Sequence, residues 1–217
     1  MRSRFFMLYL VFFITFGWLS VAAANDDPDL VDMSQLDSTI VIDLRYATAD
    51  NFLGDTLYSA NICLLRRSVA ERLVKVHRDL QKMGLGLKIW DAYRPLSVQK
   101  KMWEKLPDSR YVANPDKGSN HNRGAAVDVT LVDKSGNELE MPTVFDDFSE
   151  KAGSHYPDVS EAANKNRSIL HEAMKRHGFQ PINSEWWHFN DKDIYQYDVL
   201  DFPLDYFLNK NHEDRLK

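Results

Sequence analysis

The chain passes from a polar loop into an apolar segment within the stretch Ser119-Asn120-His121-Asn122-Arg123-Gly124-Ala125-Ala126-Val127-Asp128, and the apolar segment continues to Leu131. Between residues 125 and 131 the only charged residue is Asp128, so the pattern predicts a buried strand that contains one carboxylate. Burying a carboxylate is costly unless it binds a metal or is paired. Asp128 is therefore a candidate metal ligand, with an ion pair to an arginine as the alternative.

A second segment, Glu185-Trp186-Trp187-His188, adds another histidine and another carboxylate to the candidate site. His121, Asp128 and His188 could hold one Zn²⁺ per chain and leave its fourth position open for water. A nearby carboxylate could take a proton from that water, and Glu185 is the candidate for this base. On a regular strand, residues three apart lie on opposite faces. We therefore expect a turn or bulge at residues 184–185 to bring Glu185 and His188 to one site.

Each histidine has an ordinary alternative when it is considered alone. His121 would be a loop histidine, and His188 would be a histidine whose hydrogen bonds are satisfied in the core. The joint pattern of two histidines, one buried carboxylate and one free glutamate favours the metal site. Arg94, which follows Asp91 at a predicted strand end, could stabilise an oxyanion, with Asp91 orienting it. A surface salt bridge is the alternative for this pair.

Hydrophobic periodicity predicts strands that alternate with helices. The predicted strands are 39–46, 85–94, 125–131 and 186–189, and the predicted helices are 68–83, 95–106 and 160–177. A capping box, Ser68-Val69-Ala70-Glu71, predicts the start of the first helix. His171 and His177 are expected on the surface of the last helix. The short, irregularly spaced strands favour an α+β fold with helices packed on a central, mainly antiparallel sheet, rather than a doubly wound nucleotide-binding fold.

Residues 1–24 have the layout of a secretory signal. Arg2 and Arg4 precede an uncharged apolar stretch, and Ala22-Ala23-Ala24 supplies small residues at a cleavage point. We predict a signal peptide over residues 1–24, a single domain over residues 25–217, and export, with the periplasm as the expected compartment. An uncleaved anchor is the alternative, because residues 5–24 carry no charge and nearly reach the length of a bilayer span.

The composition, with 44% hydrophobic and 27% charged residues in 217, is ordinary for one globular domain. The net charge is −5, and loss of Arg2 and Arg4 would leave 25 basic against 32 acidic residues, or −7. Such a chain has no general attraction for nucleic acid or anionic membranes, so neither is an expected partner after cleavage. Cys63 is the only cysteine, which excludes an internal disulfide. The sequence does not indicate an oligomeric state.

The motifs Ser119-x-His121-x-x-Gly124-x-Ala126-x-Asp128, Glu185-x-x-His188 and Asp91-x-Tyr93-Arg94-Pro95 together resemble the D-Ala-D-Ala dipeptidases, zinc peptidases of family M15. The resemblance extends over residues 46–205. It implies that His121, Asp128 and His188 are the zinc ligands. It also implies that Glu185 is the general base and later the proton donor, and that Arg94 stabilises the oxyanion.

The same resemblance implies that Ser119, Tyr46 and Asp146 line a pocket for a small dipeptide substrate, with Asp146 pairing with its free amino group. Asp147 is adjacent, so this alignment could slip by one residue. Well-known members work in the cytoplasm, whereas an exported enzyme would recover D-alanine from the cell wall or remodel the wall. Two alternatives stay open: an exported D,D-carboxypeptidase or endopeptidase that acts on wall peptides, and a zinc-containing binding module without catalysis.

The signal layout makes a prediction about the mature chain. Small residues are preferred at the cleavage point, so the N-terminus of the native protein should lie between about residues 22 and 27. N-terminal sequencing or mass analysis of protein purified from its natural source would measure it. Recovery of intact Met1 in a carbonate-resistant membrane fraction would establish the anchor instead.

Overall fold

The computed structural model of the protein describes residues 28–208. The predicted signal segment, residues 1–24, lies outside the described residues, as do residues 25–27 and 209–217. Within the described range, no helix is both long and apolar enough to cross a membrane.

Short strands and helices alternate along the described chain. They follow in the order β1 (Leu30–Asp32), α1 (Met33–Leu36), β2 (Val41–Ile42), β3 (Leu64–Arg66), α2 (Arg67–Gln81), β4 (Gly86–Asp91), α3 (Leu96–Lys105), β5 (Ala126–Val132), α4 (Glu161–Arg176), β6 (Phe179–Pro181) and β7 (His188–Asp191). Short 3-10 helices lie at Arg45–Ala47, Asn120–Arg123, Glu150–Ala152 and Ile194–Gln196.

A five-stranded sheet with the order β2-β4-β5-β7-β6 lies at the centre of the described fold. β2 pairs with β4 in parallel, and the other neighbouring pairs in this sheet are antiparallel. β1 and β3 form a separate antiparallel ribbon. The prediction of an α+β fold with a mainly antiparallel sheet is confirmed.

The middle strand, β5, is buried along its whole length. α2 and α4 pack against each other, α2 contacts β4, and α4 contacts β5 and β6. On α2 the buried residues include Val69, Leu73, Val76 and Leu80. Each contributes roughly 1.5–3 kcal/mol of hydrophobic free energy when fully buried. A strand that is covered on both faces has a continuous rather than an alternating apolar pattern, which explains the segment that contains Asp128.

The predicted start of α2 is wrong. The helix begins at Arg67, one residue before Ser68, and Arg66 precedes it without a side-chain cap. The Ser68 hydroxyl lies 2.6 Å from the Tyr197 hydroxyl instead. A tertiary hydrogen bond therefore replaces the local one that the capping box predicted. At the other end of the helix, Met83 lies beyond α2 and is 59% exposed.

The first predicted strand, 39–46, is only partly correct. β2 covers two residues, Val41–Ile42, and the chain then turns into the 3-10 helix Arg45–Ala47. The turn buries Tyr46. β1, β3 and β6 have three residues each and were not predicted from the sequence. Three residues are too few for an alternating pattern to be recognised.

The last predicted helix is confirmed as α4, and the Ser160 hydroxyl caps it by accepting from the Ala163 N–H at 3.0 Å. The expected surface position is wrong for His171, which is buried on α4. His177 follows α4 and is half-buried, with its Nε2 2.8 Å from an Asp79 carboxylate oxygen.

Candidate active site

Three polar residues lie side by side across the sheet. In the strand register, Asp91 on β4 lies opposite Asp128 on β5, and Asp128 lies opposite His188 on β7. An irregularity between Ile89 and Asp91 shifts the register, so Asp91 rather than Trp90 faces Asp128. β-Bulges of this kind re-aim side chains next to active sites. All three members of the row are buried.

His121 reaches this row from the 3-10 helix before β5. The Ser119 hydroxyl accepts from the His121 N–H at 3.3 Å, and the Asn122 side chain accepts from the Ser119 N–H at 2.6 Å. Gly124 then ends the helix with φ of 67°, a conformation that favours glycine. A Cβ at Gly124 would lie 2.7 Å from a methyl carbon of Leu30. The glycine therefore permits both the turn and its close packing.

His121, Asp128 and His188 form a compact cluster. The His188 Nδ1 lies 2.9 Å from Asp128 Oδ1, and the His121 Nε2 lies 3.4 Å from Asp128 Oδ2. The two imidazole nitrogens are 3.2 Å apart. One ligand atom from each of the three residues lies within 4.8 Å of the others. Two imidazoles and one carboxylate match the protein ligands of a catalytic zinc site.

The other nitrogen of each imidazole is already bound. The His121 Nδ1 lies 2.8 Å from the Ala92 carbonyl, and the His188 Nε2 lies 2.9 Å from Asn190 Oδ1. These oxygens only accept, so each outer nitrogen carries the proton when the ring is neutral. The lone pairs of His121 Nε2 and His188 Nδ1 then point toward Asp128. Metal-binding histidines are oriented in this way, so the cluster fits a metal ion.

The charges of the cluster also favour a cation. Burial alone would raise the pKa of Asp128, but His121 and His188 outweigh it and hold the pKa below its usual range. Burial alone would lower the pKa of His188, but Asp128 and Glu185 outweigh it and raise the pKa to about 9. Without a metal, a proton therefore supplies the positive charge that two nearby carboxylates require.

Glu185 shares the site with the cluster because the chain turns between residues 185 and 188. The His188 N–H lies 3.4 Å from the Glu185 carbonyl, which closes the turn. Glu185 Oε2 lies 3.9 Å from His188 Nδ1. Burial, together with the charge of Asp128, raises the pKa of Glu185 despite the opposing effect of His188. The turn brings together two residues that a regular strand would separate.

Arg94 lines the same cavity and is buried with Asp91. Its Nε donates to Asp91 Oδ2 at 3.1 Å, and its Nη1 donates to Gln99 Oε1 at 2.7 Å. Burial alone would lower the pKa of Arg94, but Asp91 outweighs it and the pKa is raised well above its ordinary value. The guanidinium therefore stays charged. Asp91 contacts the guanidinium directly, and its orienting role stays a prediction.

Tyr46, Ser119 and Asp146 line the cavity as well. The Tyr46 hydroxyl donates to the two carboxylate oxygens of Asp146, at 3.1 and 3.2 Å. Burial, together with the charge of Asp128, raises the pKa of Asp146 to about 8. The adjacent Asp147 instead accepts from the Ser149 N–H at 2.7 Å. Of the two neighbouring acids, Asp146 is the one at the site.

The cavity that these residues enclose has a volume of about 260 Å³. Phe148 lies between Phe52 and Tyr111 on its wall, with ring centroids 5.0 and 4.5 Å away. These three residues form what we call the aromatic wall. They come from three separate loops, and none lies on a strand of the central sheet.

Three residues that support the site were missed by the sequence analysis. Gln99 binds Arg94, Asn190 binds His188, and the buried Tyr58 donates its hydroxyl to Asp91. Asn190 had a signal in the sequence, because residues two apart on a strand share a face. Gln99 and Tyr58 had none, since only tertiary packing brings them to the site.

Comparison with known families covers nearly all of the described chain. A family model described as D-ala-D-ala dipeptidase (peptidase M15) matches residues 26–205. The chain belongs to this family. The matched range contains the cluster residues His121, Asp128 and His188. It also contains Glu185 and Arg94, so it covers the whole candidate site.

Individual members of the family are similar over most of their length. The D-alanyl-D-alanine dipeptidase of Escherichia coli (strain K12) is 39% identical over 185 residues, which is 85% of this chain and 96% of the relative. The D-alanyl-D-alanine dipeptidase of Enterococcus faecium is 32% identical over 184 residues, which is 75% of this chain and 91% of the relative.

A solved structure of the LdcB LD-carboxypeptidase aligns with a TM-score of 0.45 at 19% identity. The alignment covers 85% of this chain and 78% of the LdcB chain.

The cluster geometry makes a prediction about metal binding. His188→Ala should weaken zinc binding sharply, because three protein ligands are typical of a catalytic zinc site and the variant keeps two. Equilibrium dialysis with zinc would measure the affinity. His177→Ala is the matched control, since His177 binds Asp79 away from the cavity and should leave zinc affinity unchanged. Full zinc affinity in His188→Ala would show that the ligand set is wrong.

Proposed function

We propose that the protein is a zinc-dependent D,D-dipeptidase that hydrolyses D-alanyl-D-alanine to two molecules of D-alanine. One observation carries this proposal: the carboxylate of Glu185 lies beside the cluster His121, Asp128 and His188 in one small cavity. Membership of the D-Ala-D-Ala dipeptidase family supports the reaction and the substrate class.

One zinc ion would be held by His121, Asp128 and His188 in each chain. When bound, zinc lowers the pKa of a coordinated water and polarises a carbonyl oxygen. The two histidines would use the nitrogens that already point toward Asp128, since their outer nitrogens bind Ala92 and Asn190. The ring orientations are therefore set before the metal arrives.

Glu185 would act as the general base and then as the proton donor. Its carboxylate takes a proton from the attacking water while the water oxygen adds to the carbonyl carbon of the substrate. The same proton then passes to the nitrogen of the leaving D-alanine as the C–N bond breaks.

Arg94 would stabilise the negative charge that develops on the carbonyl oxygen. Hydrogen bonds to Asp91 and Gln99 hold the guanidinium in place, so little reorganisation is needed when the charge forms. The residue is buried, and the low local dielectric strengthens its interaction with a developing oxyanion.

Asp146 would bind the free amino group of the substrate. The carboxylate lies in the same cavity as Glu185 and is held by the Tyr46 hydroxyl. An ammonium group supplies the positive charge that favours ionised Asp146 in this half-buried place. With Ser119 on the cavity wall, this arrangement selects a short peptide with a free amino terminus over a longer chain.

The signal layout of residues 1–24 supports a location outside the cytoplasm, with the periplasm as the proposed compartment. In that compartment the enzyme would meet dipeptide released from the cell wall rather than the dipeptide that enters wall precursors. Its role would then be turnover or remodelling of peptidoglycan.

The role assigned to Glu185 makes a prediction about turnover. Glu185→Ala should retain zinc and lose activity by about 10²–10⁴-fold, because proton transfer is removed while the ligands remain. The measurement is turnover of D-Ala-D-Ala together with zinc content, since a zinc-free variant would give no information on the base. Turnover close to wild type in the zinc-loaded variant would rule out Glu185 as the base.

A substrate comparison tests the proposed function itself. The zinc-loaded protein should cleave free D-Ala-D-Ala and leave a pentapeptide stem intact, because the cavity is small and holds an acidic group for the free amine. Cleavage of the stem alone would establish a carboxypeptidase. Cleavage of neither, with zinc bound, would establish a binding module.

The role assigned to Asp146 makes a further prediction. Asp146→Asn should lower kcat/KM for D-Ala-D-Ala by roughly 10–100-fold, since a hydrogen bond to a charged group contributes about 1.5–3 kcal/mol. Asp147→Asn is the matched control and should keep normal kinetics, because Asp147 binds Ser149 outside the cavity. Equal losses in the two variants would contradict the assigned amine site.

A further inference from the structure

The turn that carries Glu185 lies between β6, which ends at Pro181, and β7, which begins at His188. Of the residues between these strands, Trp187 accepts from the Val129 N–H of β5 at 3.0 Å, but the strand pairing described here does not reach Glu185 itself. Buried side chains from outside the turn bind its carbonyl groups instead. Two of them, His171 and Ser154, have no assigned part in the reaction.

His171 lies on α4 and is buried. Its Nε2 is 3.0 Å from the carbonyl of Trp186, the residue after Glu185. A carbonyl only accepts, so His171 donates, and its proton lies on Nε2. Burial lowers the pKa of His171 to about 4, so the ring is neutral at ordinary pH. The ring also packs edge-on against Phe189, with centroids 5.2 Å apart, which limits its rotation.

Ser154 binds the other side of the turn. Its buried hydroxyl lies 2.5 Å from the Ile182 carbonyl and 3.1 Å from the Glu185 carbonyl. A hydroxyl has one proton, so it donates to one of these carbonyls at a time. The two acceptors belong to the first residue of the turn and to Glu185 itself. Ser154 therefore links the start of the turn to the residue that carries the carboxylate.

Backbone hydrogen bonds complete the attachment. The Trp186 N–H donates to the Ala152 carbonyl at 2.9 Å, and the Ser154 N–H donates to the Asn183 carbonyl at 3.0 Å. Arg167, one helical turn before His171, donates to the Tyr156 carbonyl at 3.0 Å. α4 therefore holds the turn both directly, through His171, and indirectly, through the segment that contains Ser154.

We propose that His171 and Ser154 are positioning residues. They hold the carboxylate of Glu185 beside the cluster of His121, Asp128 and His188. The inference rests on the proposed function, because it assigns their effect to the base named there. Neither residue lines the cavity, so they act through the turn and not on the substrate. A displacement of about 1 Å in a catalytic group can cost roughly a hundredfold in rate.

Loss of a donor should therefore lower kcat and spare binding. His171→Leu and Ser154→Ala should each reduce kcat for D-Ala-D-Ala by about 10–100-fold, with KM and zinc content close to wild type. His171→Gln should recover most of the lost rate, because its side-chain N–H can again donate to the Trp186 carbonyl. Steady-state kinetics, metal analysis and melting temperature would be measured for each variant.

His77→Leu is the matched control. His77 is also a buried helix histidine that accepts from a backbone N–H, that of Leu87, but it lies on α2 and outside the cavity. It should lower the melting temperature while kcat at low temperature stays near wild type. If His77→Leu and His171→Leu lower kcat equally, the effect is general loss of stability and the inference is overturned.

A double-mutant cycle with Glu185→Gln tests the route of the effect. If His171 acts through Glu185, adding His171→Leu to Glu185→Gln should change the residual rate by less than about twofold. A further drop equal to that of the single variant would overturn the inference and leave Glu185 as the base. Wild-type turnover in Glu185→Gln would overturn the proposed base and the inference together.

Discussion

Two carboxylates lie next to each other in the centre of a buried sheet, and this constraint determines much of the surrounding structure. Asp91 and Asp128 are opposite each other on β4 and β5, where like charges destabilise a sheet. Each is compensated mainly by its own partners, although the His121 Nδ1 also lies 3.4 Å from Asp91 Oδ2. Arg94 and the Tyr58 hydroxyl bind Asp91, whereas the two imidazoles bind Asp128. Asp91 therefore binds a fixed guanidinium, whereas the site around Asp128 requires a cation of its own.

That division gives the site a rigid half and a half that depends on loops. Asp128 and His188 are fixed by strand register, because moving either by one residue would turn its side chain to the other face of the sheet. His121 and Glu185 lie on short turns beside the strands, and their positions depend on individual hydrogen bonds. The Ser119 cap holds the first turn, and buried donors from α4 and residue 154 hold the second. Chemistry that requires sub-ångström placement therefore depends on individual polar contacts, one of them at Ser119 on the cavity wall and the others outside the cavity.

The sequence predicted those parts of the molecule that carry a local pattern. The apolar run around Asp128 predicted the central strand, and residue types and spacing predicted the cluster that the structure brings together. Where tertiary contacts outweigh local preference, sequence reasoning failed: Ser68 binds Tyr197 instead of capping α2, and His171 is buried. The geometry of the Glu185 turn could not be predicted, because its hydrogen-bond partners lie 31 residues away at Ser154 and 15 residues away at His171.

The aromatic wall has a consequence for how such a protein can change over time. Phe52, Tyr111 and Phe148 limit the cavity and lie on loops, and none of the three belongs to the cluster of His121, Asp128 and His188. Loops tolerate insertions and replacements better than the strands that they connect. A lineage can therefore alter the size of the molecules that fit while the reacting groups stay unchanged. Substitutions that change the size of the substrate and substitutions that change the chemistry then fall on different residues of the same chain.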